Sequence, residues 1–143
     1  MDFFSAMEIV SSGLTAERVR LNITASNLAN AETTRTKEGG AYKRRDPIFT
    51  ATNLSNSGGF QTHLDMATRG VEVTDVVEDP NPPRKIFDPK HPDADASGYV
   101  EFPNVNLVEE MVNMIMATRA YEAGVTAMKS VKSMAEKALT IGR

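Results

Sequence analysis

Residues Asn106 to Leu139 read NLVEEMVNMIMATRAYEAGVTAMKSVKSMAEKAL, and this run carries the strongest structural signal in the chain. Its apolar residues recur at spacings of three and four over four heptads, a pattern typical of a helix that packs along one seam. Asn106 with Glu109 predicts the start of the helix, and Gly142 predicts its end. The seam consists of Leu107, Met111, Met114, Thr118, Tyr121, Val125 and Met128, and continues to Ala135 and Leu139. At about 1.5 Å per residue, this helix is about 50 Å long.

The other end of the chain carries a second pattern of the same kind. Ser5 with Glu8 three residues later predicts a capping box, and Phe4 is placed to pack against Ile9 across it. The predicted helix runs from about Ser5 to Leu28, about 36 Å at the same rise. Its seam residues recur every seven positions and are Met7, Leu14, Leu21 and Leu28.

Both predicted helices carry further apolar residues beside their seams. These flanking rows are Ile9, Ala16 and Ile23 on the first helix, and Val108, Val112 and Ile115 on the last. They widen the apolar arc beyond what a contact between two helices covers. We therefore expect the helices to pair with each other, antiparallel or slightly crossed, and then with neighbouring subunits.

The middle of the chain follows different rules. All seven prolines lie between Pro47 and Pro103, so both ends are free of the main helix breaker. Short strands are predicted at Pro47–Thr50, Phe60–Met66, Val71–Val77, Arg84–Phe87 and Gly98–Phe102, separated by glycine and proline turns. Six of the nine aromatic residues fall in this region, enough for a small β core. The stretch from Asn30 to Tyr42 lacks periodicity and is expected to be extended or mobile.

These patterns predict an α+β protein in which long N- and C-terminal helices pair as a coiled-coil-like inner layer. Residues 1–30 form the first helix of that layer, and residues 104–143 form the second. Residues 31–103 form an extended stretch and a small, irregular, β-rich outer domain.

Two details of the helices have open alternatives. The polar groups near the end of the first helix, including Asn27 and Asn30, either bond to backbone carbonyls of adjacent chains or form a polar face that ends in a C-cap at Asn30. Gly124 either permits a close approach of another helix or weakens its own helix by ~1 kcal/mol relative to Ala.

Composition excludes several classes of function. The net charge is −3 and the sole basic run is Lys43-Arg44-Arg45, which argues against a nucleic-acid partner. The chain has no cysteine, so disulfides, thiolate metal sites and cysteine nucleophiles are absent. No stretch approaches the roughly 20 apolar residues of a membrane span, and the N-terminus lacks the features of a cleaved signal peptide.

Catalytic and metal chemistry find little support. His63 and His91 are the two histidines, and neither has the spacing of a catalytic or metal-binding pair. Asp93 to Gly98 matches the first half of a calcium loop, but position twelve is Asn104 in place of a bidentate Glu. An Asp-rich turn is the preferred interpretation. We expect no enzymatic activity, no cofactor and no metal.

A family resemblance rests on residues at both ends. Ala25-Ser26-Asn27-Leu28-Ala29-Asn30 closely resembles the N-terminal signature of bacterial flagellar axial proteins, the rod and hook group. The run from Tyr99 to Asn106 and the run from Ala117 to Ala123 resemble the C-terminal signature of the same group. The resemblance covers nearly the whole chain, with Gly124 standing where this family's pattern has Asn.

The resemblance implies a structural subunit of the flagellar basal body. Such proteins are exported uncleaved by the flagellar type III apparatus and polymerise helically around a central channel, with copies of themselves and other rod proteins as partners. The terminal helices form the inner layer, and the rod lies in the periplasm. The short middle segment favours a proximal rod subunit, which transmits torque, over a hook protein. The alternative interpretations are another flagellar rod or hook subunit, or a soluble binding or chaperone module that holds a partner with its helical hairpin.

Overall fold

The computed structural model describes residues 3–53 and 69–141, and within them it confirms the α+β class. The elements in chain order are helix α1 (Phe3–Ala29), strands β1 (Arg45–Asn53), β2 (Arg69–Glu78), β3 (Arg84–Phe87) and β4 (Tyr99–Phe102), and helix α2 (Leu107–Ile141). Two long helices thus enclose a region of short strands along the sequence.

The helix ends agree with the sequence at one site and differ at another. The Asn106 side-chain oxygen accepts a hydrogen bond from the backbone N–H of Val108 at 3.1 Å, which confirms Asn106 as the N-cap of α2. The capping box predicted at Ser5 is wrong, because α1 already includes Phe3 and places Ser5 inside the helix. Phe3 and Phe4 extend the helix toward the N-terminus, with their rings edge to face at 5.5 Å. The predicted stop at Gly142 lies outside the described residues.

The strands form two separate antiparallel pairs. Strand β1 pairs with β2 from Arg45↔Glu78 to Asn53↔Arg69, with a β-bulge between Ile48 and Phe49. Strand β3 pairs with β4 from Arg84↔Phe102 to Phe87↔Tyr99. Three of the predicted strands fall within these elements, and a fourth, Gly98–Phe102, begins one residue before β4. The fifth, Phe60–Met66, lies outside the described residues.

The small β core expected from the aromatic residues does not form in the described part of the chain. Among the described residues, Phe49, Phe87 and Tyr99 stay exposed, because a sheet of two strands covers few side chains. Tyr42 is buried elsewhere, in a cluster with Ala31 and Val105 beside the ends of the helices. The middle segment therefore depends on the helices for support. One direct link is the hydrogen bond that the backbone N–H of Val71 donates to the Ser12 hydroxyl at 3.1 Å.

The two helices pair with each other in antiparallel orientation. Asn27, near the end of α1, contacts Glu110 in the first turn of α2, whereas Leu14 contacts α2 at Gly124. The order of contacts along one helix is thus reversed along the other. The face of α2 that lies against α1 includes Glu110, Ala117 and Gly124, which recur every seven residues. This face is rotated by roughly 60° from the predicted seam, since about 3.6 residues make one turn.

Gly124 marks the closest approach of the helices. A Cβ atom at this position would lie 2.8 Å from Leu14 Cδ2 and 3.2 Å from Leu14 Cγ, closer than carbon atoms normally approach. A Cβ atom at Gly13 would have nothing within 4 Å. Of the two interpretations of Gly124, the contact with Leu14 favours close approach.

This difference between the two glycines predicts unequal effects of alanine. Gly13→Ala raises the free energy of unfolding by about 1 kcal/mol, because it improves helix propensity in open space. Gly124→Ala brings the same propensity but displaces Leu14, so its effect is smaller or of opposite sign. Urea unfolding of the purified chain measures both. Equal stabilisation by the two substitutions would show that Leu14 does not require Gly124.

Candidate assembly interface

A buried polar cluster joins the two helices to the segment that follows α1. Asn27 is 1% exposed, and all four hydrogen-bonding positions of its amide are used. Its oxygen accepts from the Tyr42 hydroxyl and from the Arg45 N–H, both at 3.0 Å. Its nitrogen donates to the Arg45 carbonyl at 2.8 Å and to Glu110 Oε2 at 3.1 Å. One side chain of α1 thus holds both α2 and the approach to β1.

Glu110 brings the charge into this cluster and is also 1% exposed. Its Oε1 accepts a hydrogen bond from Arg44 Nε at 2.7 Å, and Arg44 also pairs with Asp46. Burial lowers the pKa of Arg44, but the hydrogen bond to Glu110 and the charge of Asp46 outweigh it, so the pKa is raised above its ordinary value. The buried carboxylate of Glu110 is therefore fully paired, which is the condition for a buried charge to be tolerated.

The segment between α1 and β1 is folded back on itself. The Tyr42 N–H donates to the Thr33 carbonyl at 3.0 Å, and the Thr36 N–H donates to the Gly40 carbonyl at 2.9 Å. Gly39 and Gly40 adopt φ angles of 90° and 79°, which favour glycine. The prediction that this segment is extended is thus wrong. The chain turns back because Tyr42 and Arg45 donate hydrogen bonds to Asn27, which lies in the helix that the chain has just left.

The asparagines near the end of α1 serve their own chain. Asn30 Nδ2 donates to the Ser26 carbonyl at 2.8 Å, and Asn30 Oδ1 accepts from the Thr33 hydroxyl at 3.2 Å. These bonds close the end of the helix and favour the capping interpretation of Asn30. Asn27 has no hydrogen-bonding position left for a neighbouring subunit, because all four of its bonds join groups of its own chain.

The Asp-rich turn holds its own backbone. Asp95 Oδ1 accepts hydrogen bonds from the N–H groups of Ser97 at 2.8 Å and Tyr99 at 2.9 Å. The bond from Tyr99 is the main cause of a lowered pKa at Asp95. Asp93 accepts from the Thr34 hydroxyl at 2.8 Å, and His91 Nδ1 accepts from the Asp93 N–H at 3.1 Å. The described residues contain no group of three His, Cys, Asp or Glu side chains placed to hold a metal ion.

The structure divides the predicted seam into two parts. Half-buried members are Met7, Leu14, Leu21 and Leu28 of α1 and Met114, Tyr121, Val125 and Met128 of α2. Leu107, Met111 and Thr118 are exposed, because the helix is rotated toward Glu110 and Ala117. His63, for which no catalytic or metal-binding role is predicted, lies outside the described residues.

Helix α2 presents an apolar stripe on the face opposite α1. We call this surface the stripe; its members are Val108, Met111, Val112, Ile115 and Met116. All are close to half exposed or more, with Val108 at 69%. They recur at spacings of three and four, so they lie side by side along the first three turns. A contiguous exposed apolar surface is typical of contacts with other proteins.

A groove runs along the other side of the helix pair. Its volume is about 530 Å³, and α1, α2 and the β1–β2 hairpin line it. Small residues of α2, Ala120, Ala123, Gly124 and Ala127, form one wall, and Phe49 and Val71 form another. Glu17 and Arg20 of α1 bring opposite charges to this otherwise apolar surface.

No helix among the described residues is both long and apolar enough to cross a membrane.

The cluster around Asn27 predicts a strong dependence of stability on that residue. Asn27→Ala lowers the free energy of unfolding by about 3 kcal/mol, because it removes the partner of the Tyr42 hydroxyl, of the Arg45 backbone groups and of Glu110 Oε2. Asn30→Ala, the matched control, lowers it by about 1 kcal/mol, because it removes a bond at a half-exposed helix end. Urea unfolding monitored by circular dichroism measures both. Equal losses would contradict the central place of Asn27.

Comparisons with known proteins agree with both ends of the chain. A family model described as "Flagella basal body rod protein" matches residues 7–37, and one described as "Flagellar basal body rod FlgEFG protein C-terminal" matches residues 96–141. The first match covers most of α1 and continues into the folded segment after it. The second covers β4 and all of α2.

Curated relatives match over the whole length. Flagellar basal-body rod protein FlgC of Borreliella burgdorferi is 46% identical, over 99% of this chain and 98% of its own. The proteins of the same name from Escherichia coli and Bacillus subtilis are 40% and 39% identical, each over 100% of both chains. With its long terminal helices and short strands, the chain thus belongs to the FlgC family of flagellar basal-body rod proteins, and it is a structural subunit of that rod.

Proposed function

We propose that this chain is a subunit of the proximal rod, which polymerises through its terminal helices around the export channel and transmits torque. The observation that carries the proposal is the stripe on α2. One face of this helix is paired with α1, yet the opposite face leaves five large apolar side chains open to solvent. Such a surface is removed from water when neighbouring subunits cover it.

Burial of the stripe supplies the free energy of assembly. Fully burying one large apolar side chain contributes about 1.5–3 kcal/mol, and the stripe residues have roughly half of that still to gain. The sum over five side chains is several kcal/mol per subunit contact before the costs of ordering and association are subtracted. Each subunit repeats the contact with its neighbours, so a helical polymer combines many contacts of moderate strength.

Torque requires that each subunit move as one body. The cluster of Asn27, Glu110 and Arg44 ties α1, α2 and the start of β1 together through buried hydrogen bonds. A force applied to the outer strands therefore reaches both helices. This arrangement suits a shaft in which the inner helices carry the load and the middle segment contacts outer neighbours.

The proposal extends to location and partners, in line with the family resemblance. Partners are copies of this chain and other rod proteins, and delivery is by the flagellar type III export apparatus without cleavage. The assembled subunit then occupies the periplasmic part of the basal body. No enzymatic step is required, because the rod acts by transmitting force.

Ile115→Asp tests whether the stripe drives assembly. Ile115 is 57% exposed, so the substitution leaves the single chain folded but places a charge in the proposed contact. We expect loss of swimming and loss of the subunit from purified basal bodies, with an unchanged circular dichroism spectrum. Ser133→Asp, at an exposed polar position of the same helix, is the control and retains both. Normal swimming of the Ile115→Asp strain would contradict the proposal.

A further inference from the structure

We propose that Met111 and Met116 are oxidation sites of the free subunit, and that a peroxide which converts both thioethers to sulfoxides makes the stripe too polar to be buried. Both residues belong to the stripe, so the expected effect on assembly rests on the proposed function. The oxidation itself depends on the single chain alone, because it requires only that the two side chains are open to solvent.

The composition directs a peroxide to methionine. The chain has eight methionines, no cysteine and no tryptophan, so no thiolate competes for the oxidant. The thioether sulfur attacks one oxygen of hydrogen peroxide and the O–O bond breaks. The other oxygen takes the proton of the transferred oxygen and leaves as water. Sulfur is oxidised and the peroxide is reduced, so no further reactant is needed.

Exposure divides the described methionines into two groups. Met111, Met116 and Met134 are exposed, by 47%, 56% and 62%. The half-buried group consists of Met7, Met114 and Met128. Because a peroxide in solution has to reach the side chain before it reacts, we expect the three exposed methionines to be oxidised first.

Two of the exposed methionines form the edges of the stripe. At about 100° per residue, Met111 and Met116 are about 140° apart around the axis of α2. Val108, Val112 and Ile115 lie between them on the same arc. A neighbour that covers the stripe therefore contacts both methionines.

A sulfoxide changes what the stripe presents to a neighbour. Oxidation turns a flexible apolar side chain into a polar one, and this disrupts interfaces that contain methionine. The side chains of the stripe are valine, isoleucine and methionine, so none of them donates a hydrogen bond to the new oxygen. Burial of a polar group without a donor is unfavourable. Reduction of the sulfoxide restores the thioether, so the change is reversible.

Peptide mass spectrometry of the purified full chain after treatment with hydrogen peroxide tests the two sites. We expect sulfoxide to form at Met111 and Met116 at least about threefold faster than at Met114 and Met128, which are half-buried. Circular dichroism of the treated chain stays unchanged, because the first sites to react lie outside the helix pair. Equal rates at all four methionines would overturn the assignment.

Matched leucine variants show whether these sites control the polarity of the surface. Leucine conserves the volume of methionine but has no sulfur to oxidise. In the parent chain, peroxide treatment shortens retention on a phenyl column, and methionine sulfoxide reductases restore it. The double variant Met111→Leu/Met116→Leu loses most of this shift.

Met134→Leu is the matched control and keeps the shift. Met134 lies five turns beyond Met116 on the same helix, and the exposed polar residues Ser130 and Lys137 are its neighbours one turn away. Its oxidation therefore adds a polar group to a surface that is already polar. An equal loss of the shift in the double variant and in Met134→Leu would contradict the special place of the stripe.

The same variants test the consequence for assembly. Each strain receives a pulse of hydrogen peroxide while flagellar synthesis is induced, and its new basal bodies are counted relative to an untreated culture of the same strain. We expect peroxide to reduce this count about tenfold more in the parent and in Met134→Leu than in Met111→Leu/Met116→Leu. Equal reductions in all three strains would overturn the role of the stripe methionines.

This failure is distinct from failure of the proposed function. If Ile115→Asp blocks assembly but the leucine variants give no protection, the oxidation inference is wrong and the rod proposal stands. If the Ile115→Asp strain swims normally, the rod proposal is wrong, and the rates of sulfoxide formation in the purified chain still decide whether Met111 and Met116 are the oxidation sites.

Discussion

The two helices and the segment after α1 are held together by a buried cluster that centres on the hydrogen bond between Asn27 and Glu110. It joins the end of α1 to the beginning of α2, and the same Asn27 amide holds Tyr42 and Arg45. The buried carboxylate of Glu110 is stable here because Arg44 donates a hydrogen bond to its other oxygen, Oε1. The antiparallel register, the return of the chain after α1 and the start of β1 thus follow from one cluster.

A second constraint is that α1 covers one face of α2. Close approach at Gly124 and Ala117 brings the helix axes together, and the large residues of the stripe are left on the far side. The described strands do not cover the stripe, because each sheet has two strands and the β1–β2 pair contacts α1. The chain is therefore folded but keeps an exposed apolar surface, which a polymer subunit needs for contacts with its neighbours.

Much of this organisation is readable from the sequence. Heptad spacing identified both helices, proline positions delimited the middle, and Asn106 marked the start of α2. The rotation of α2 was not readable, because it follows from Glu110, whose partner Arg44 is distant in sequence. Periodicity alone assigns a charged residue to the solvent side. Two features of the sequence could have indicated the cluster: Asn27 at an apolar helix end, and the basic run Lys43-Arg44-Arg45. Neither feature identifies Glu110 as the residue that it contacts.

In the rod, we expect the helix pair to persist while neighbouring subunits cover the stripe. Cryo-microscopy of the isolated basal body measures this directly, at a resolution that shows side chains. We predict that Asn27 still contacts Glu110 within each subunit and that Val112 and Ile115 are buried against a neighbour. Helices separated from each other, or a stripe that faces open solvent in the assembled rod, would contradict it.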